Sequence, residues 1–145
     1  MSQNSPPERL SEGARQIEHT ADLALEVWGP DEPRMLQAAA IAVVEILTDD
    51  AVPAGDDMRT VALEAIDAED RLVRWLSEVL YWASVDGFVV ARAELQVVPG
   101  GLRGRAFGLE SAKHLVKTEI KAATYHDLHV EEGDGLVRAR VVLDV

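Results

Sequence analysis

Apolar residues fall at three- and four-residue spacing in two separate stretches of this chain, and they alternate in runs before, between and after them. Leu36, Ala39, Ala40, Val43, Ile46 and Leu47 make one helical stripe; Leu72, Val73, Leu76, Val79, Leu80 and Ala83 make the other. Asp31 and Asp67 stand where helix caps belong, Pro33 suits a first turn, and Gly87 suits a helix end. Alternation at residues 23–28, 58–66, 88–98 and 102–109 predicts strands, the last two joined by Pro99-Gly100-Gly101. Residues 119–130 and 136–145 predict a closing hairpin around Glu131-Glu132-Gly133-Asp134-Gly135. The order strand, helix, strand, helix, then strands to the end predicts a single α+β domain. Two helices are expected on one face of a largely antiparallel sheet. The first residues, with Pro6-Pro7 among polar neighbours, read as a flexible tail over 1–15, leaving a domain over 16–145.

At 145 residues the chain is long enough to bury a core without staples, and it has no cysteine to make them. That also excludes thiolate metal sites and a cysteine nucleophile. The start lacks an apolar stretch behind a basic one, and no run of about 18 apolar residues occurs. The expectation is a cytoplasmic protein without a membrane span. The net charge of −12 resides in the front half: residues 1–70 carry 16 acids and 4 bases, residues 71–145 carry 10 of each. Such a front half repels phosphate backbones, arguing against strong direct nucleic-acid binding, and suits a cation or a basic partner.

All three lysines, Lys113, Lys117 and Lys121, lie within nine residues, followed by Ala122-Ala123-Thr124-Tyr125-His126. The four histidines fall in two places, His19 before the first strand and His114, His126 and His129 in this later stretch. If the hairpin turn pairs Val130 with Leu136, then Asp144 stands opposite Ala122, Val142 opposite Thr124 and Arg140 opposite His126. Thr124, His126, Arg140 and Asp144 then share one face. A one-residue slip scatters that set. Asp22, Asp144 and the α-carboxylate of Val145 together make hard oxygen ligands for a divalent cation. A frayed terminal acid is the plainer reading of Asp144 alone, as a solvated edge is of the lysines. No phosphate-cradling Gly-x-x-x-x-Gly-Lys-Ser/Thr loop, His-Glu-x-x-His or Gly-x-Ser-x-Gly occurs. Trp75 and Trp82, seven apart, read as flanking the core.

The run EHTAD at residues 18–22, the decapeptide KTEIKAATYH at 117–126 and the ending VLDV at 142–145 resemble the archease family. The helix over 76–86 is similar to a further family segment. The resemblance implies an accessory protein that activates a GTP-dependent RNA-splicing ligase joining 3′-phosphate RNA ends. It would promote guanylylation of that ligase and multiple turnover in tRNA splicing or RNA repair. A chaperone-like effect on a tRNA methyltransferase is a further implied role. The family's metal site falls on Asp22, Asp144 and the terminal Val145, with calcium as one ion found there. His19, Lys117, Lys121, Thr124 and His126 are then candidate contacts to the partner or its nucleotide, and no catalytic residue is expected. Ala24, Gly104-Arg105 and Asp127 depart from the family's usual residues, so no role passes to Arg105. A rival reading is a metal-dependent phosphate-ester hydrolase using Asp22, Asp144 and a histidine base, against which stands the lack of a second carboxylate cluster.

Overall fold

The computed structural model describes residues 12–17, 22–51 and 54–145. Seven strands and two main helices follow in order: β1 (Gly13–Ile17), β2 (Leu23–Gly29), α1 (Glu32–Thr48), β3 (Asp57–Glu64), α2 (Ala68–Tyr81), β4 (Val89–Val98), β5 (Gly101–Leu109), β6 (Ala122–Gly133) and β7 (Leu136–Asp144). The protein is α+β and every strand pair is antiparallel. The strands divide between two sheets, ordered β1-β2-β7-β6 and β3-β5-β4, where the sequence suggested one. Helix α1 packs on β2 of one sheet and β4 of the other, and α2 packs on α1 and β6.

Both helices begin at the expected caps. Asp31 accepts from the Arg34 amide at 2.9 Å, and Asp67 from the Asp70 amide at 2.8 Å, each satisfying a donor the helix leaves unpaired. Helix α2 widens into a π-helical turn, Trp82–Asp86, ended by Gly87 at φ 79°. The two stripes meet in one core, where Leu36, Val43, Leu72 and Leu76 are fully buried. Trp75 is fully buried as well, its indole donating to the Leu36 carbonyl at 2.8 Å. It meets Trp82 edge-on at 6.1 Å, and Trp82 meets Phe88 at 5.4 Å. These tryptophans are core residues, as their spacing suggested.

Strand β1 has no counterpart in the sequence reading, which placed its first three residues in a tail. GARQI offers little apolar signal, but it pairs along its own full length with β2, and Gly13 leaves room for the Trp28 ring. A Cβ on Gly13 would come within 2.6 Å of that ring.

The closing hairpin corrects the expected register. Its turn is the two-residue Asp134-Gly135, both at positive φ (55° and 76°), so Gly133 rather than Val130 faces Leu136. Pairing then runs to His129 opposite Arg140, breaks over residues 125–128, and resumes with Thr124 opposite Val142 and Ala122 opposite Asp144. The misplaced turn and the bulge each amount to three residues and cancel beyond the bulge. The expected partners of Ala122 and Thr124 are therefore right, but Arg140 faces His129, not His126.

Candidate functional site

The ladder between β2 and β7 closes with Leu23 opposite Leu143. One residue further, Asp22 precedes β2 at the sheet end where Asp144 finishes β7, so residues more than 120 apart in sequence reach the same end of the sheet. Val145 follows, 49% exposed. Asp22 is half-buried and Asp144 exposed. Two carboxylates offer hard oxygen donors of the kind magnesium or calcium prefers. Among the described residues no three His, Cys, Asp or Glu side chains converge as a metal group. His19 lies outside the described residues, as do its neighbours at 18, 20 and 21.

The lysine-bearing segment reaches this sheet end along an irregular path pinned at both ends. The carbonyl of Leu47 lies in the last turn of α1, where a helix leaves acceptors unpaired. It accepts from the amides of Lys117 at 2.7 Å and Thr118 at 3.1 Å. The Thr118 hydroxyl reinforces this anchor by donating to Asp49 at 3.1 Å. At the other end the Lys121 amide donates to the Asp144 carbonyl at 2.7 Å. The side chains of Lys117 and Lys121 are exposed. The structure thus brings Lys121 against the end of β7 that carries Asp144, while Lys117 stays nearer the end of α1.

Thr124 is half-buried, and its hydroxyl donates to the Val142 carbonyl at 3.0 Å and accepts from the His126 amide at 3.4 Å. Those bonds hold the strand at the start of the bulge. His126 is exposed within the bulge, its Nε2 3.2 Å from an Asp127 carboxylate oxygen. Asp127 adopts φ 51°, in the left-handed region that favours glycine. His129 pairs with Glu131 at 3.2 Å instead of joining His126.

A tie between β6 and α2 holds the bulge, and no periodicity in the sequence indicated it. Tyr125 donates its hydroxyl to Asp70 at 2.6 Å. Asp70 is 5% exposed and also accepts from the Ile66 amide at 3.0 Å and from Arg74. The Tyr125 hydroxyl, with the Ile66 amide and Arg74, holds the Asp70 carboxyl below the usual carboxylate range despite its burial. The same contact, together with burial, raises the Tyr125 phenol above its ordinary value. A signal existed in hindsight: Asp70 follows the Asp67 cap by three residues, so it lies in a first turn close to unpaired amides.

The profile of the Archease protein family (MTH1598/TM1083) matches residues 15–145. The chain belongs to the archease family. The Archaeoglobus fulgidus archease is 35% identical over 138 residues, covering 90% of this chain and 98% of its own length. That of Methanosarcina mazei is 32% identical over 136 residues, covering 89% and 93%. The solution structure of Methanobacterium thermoautotrophicum protein 1598 superposes with a TM-score of 0.76 at 28% identity, over 92% of this chain and 99% of that one. A crystal structure from Thermotoga maritima, described as an archease and possible chaperone, has a TM-score of 0.61 over 90% of this chain and 96% of that one. At 22% identity that likeness concerns the archease fold alone.

Proposed function

We propose that this archease is an accessory activator of a GTP-dependent RNA-splicing ligase that joins 3′-phosphate RNA ends, without turnover of its own. The observation that carries the reading is the bond from the Lys121 amide to the Asp144 carbonyl. It joins the family's lysine-bearing run to the acid pair at the end of the sheet, so cationic and anionic groups present one continuous surface. Asp22 and Asp144 would hold a divalent cation, calcium or a similar hard ion, with Val145 adjoining them. Bound there, the ion supplies positive charge that offsets repulsion between the acids and a partner's nucleotide phosphates. Lys121, His126 and Lys117 would meet the ligase or its nucleotide, and Thr124 holds the strand from which His126 departs. A tRNA methyltransferase is a further partner that the resemblance suggests.

The lysines give a graded test. In multiple-turnover ligation assays, Lys121→Ala should reduce activation by about tenfold, the scale of one charge-assisted contact. Lys113→Ala should leave it nearly unchanged, because Lys113 sits in a short 3-10 turn, Lys113–Leu115, before the pinned stretch. Equal effects of the two substitutions would replace a defined contact with a diffuse electrostatic patch.

A further inference from the structure

Between the end of α1, the π-helical turn and the lysine segment lies an open pocket of about 380 Å³. Its lining combines two chemistries. Leu47, Leu80, Ala83 and Ile120 line it and are all nearly fully buried, at 3%, 6%, 1% and 6% exposure, so they form an aliphatic floor. Ser84, Lys117 and Lys121 line it and are exposed, so they form the rim. Two of the chain's three lysines thus border one apolar hollow, and among the described residues one acid, Glu119, shares that lining. The rim is fixed in advance by the Leu47 carbonyl at one end and the Asp144 carbonyl at the other. An occupant therefore meets a surface that needs little ordering on binding.

We infer that this pocket is a docking site for an acidic segment of a partner protein, an aliphatic side chain entering the hollow and flanking carboxylates meeting Lys117 and Lys121. Charge complementarity selects the acidic partner. In a chain of net charge −12, a lysine pair beside an apolar floor is a local exception. The floor selects a peptide over a nucleic acid, because among the described residues no aromatic ring lines it on which a base could stack. The inference goes beyond the ligase reading and is tested without any ligase, so either can fail alone.

The test is a titration of the full isotopically labelled chain, followed by amide chemical shifts, with the synthetic peptide acetyl-Asp-Glu-Leu-Glu-Asp-amide. Saturable shifts should centre on Leu47, Lys117, Ile120 and Lys121. Replacing the peptide's leucine by serine, or its acids by their amides, should each weaken binding markedly. Lys117→Gln with Lys121→Gln should lower affinity by about tenfold, the scale of two exposed ion pairs. Ser84→Gln, an exposed substitution that narrows the mouth without changing charge, should weaken the leucine peptide while the fold's shift dispersion is kept. The inference is overturned if no saturable shifts appear, if they spread over the arginine-bearing surfaces, or if a single-stranded RNA hexamer binds the same residues more tightly than the peptide.

Discussion

Asp70→Ala should lower the unfolding free energy by about 3 kcal/mol, measured by urea denaturation near neutral pH. The carboxylate is buried and accepts hydrogen bonds from the Tyr125 hydroxyl, the Ile66 amide and Arg74. Removing it strands the Ile66 amide and unties β6 from α2. Tyr125→Phe takes away one of these bonds and should cost about 1 kcal/mol. Because the two substitutions break a shared bond, the double variant should be less destabilised than their sum.

The pH dependence has two edges. Asp70 has a lowered folded pKa, so its contribution is fully present above the ordinary aspartate value and is lost as pH falls through the folded one. Tyr125 has a raised folded pKa, so its contribution is present below its ordinary value of 10.0 and lost as pH rises through the folded one. The gap between native protein and Asp70→Ala should therefore be widest between about pH 5 and 9 and narrow on both sides. A gap independent of pH would mean that the Tyr125–Asp70 bond does not hold the bulge.

The second large effect concerns the cation. Asp22→Ala or Asp144→Ala should abolish specific divalent-cation binding in calorimetry, with far-ultraviolet circular dichroism unchanged. Asp22 lies just outside the ladder that Leu23 and Leu143 close, and Asp144 is the exposed last residue of β7, opposite Ala122, so neither substitution removes a core side chain. A hard cation held by few protein oxygens loses most of its affinity with either carboxylate. Unchanged affinity in both variants would remove the cation from the proposed function.

What the sequence revealed and what it concealed divide along physical lines. Caps and stripes are local, so Asp31, Asp67 and the two helices were legible from side-chain chemistry and a 3.6-residue period. The proposal that Asp22 and Asp144 share a cation rests on hard-oxygen chemistry and on the family's signature runs, because no local pattern links the two ends of a chain. The bulge was not legible. It depends on Tyr125 reaching Asp70, 55 residues earlier, and alternation in β6 carries no trace of that tie. The two-sheet division was hidden for a related reason: β5 and β7 each take partners on both sides, and periodicity does not say which strands pair. Strand β1 was concealed by composition, since GARQI pairs through its backbone and offers few apolar side chains.

We propose that this archease acts on a ligase's nucleotide-loading step and not on RNA. The direct measurement is formation of the covalent ligase–guanylate adduct from radiolabelled GTP and a divalent cation, with no RNA present and the archease at a small fraction of the ligase concentration. These catalytic amounts should speed adduct formation, Asp22→Ala and Asp144→Ala should lose the effect, and the archease alone should not consume GTP. Steady GTP or phosphate-ester hydrolysis by the isolated chain, lost in Asp22→Ala, would contradict it and identify a hydrolase instead.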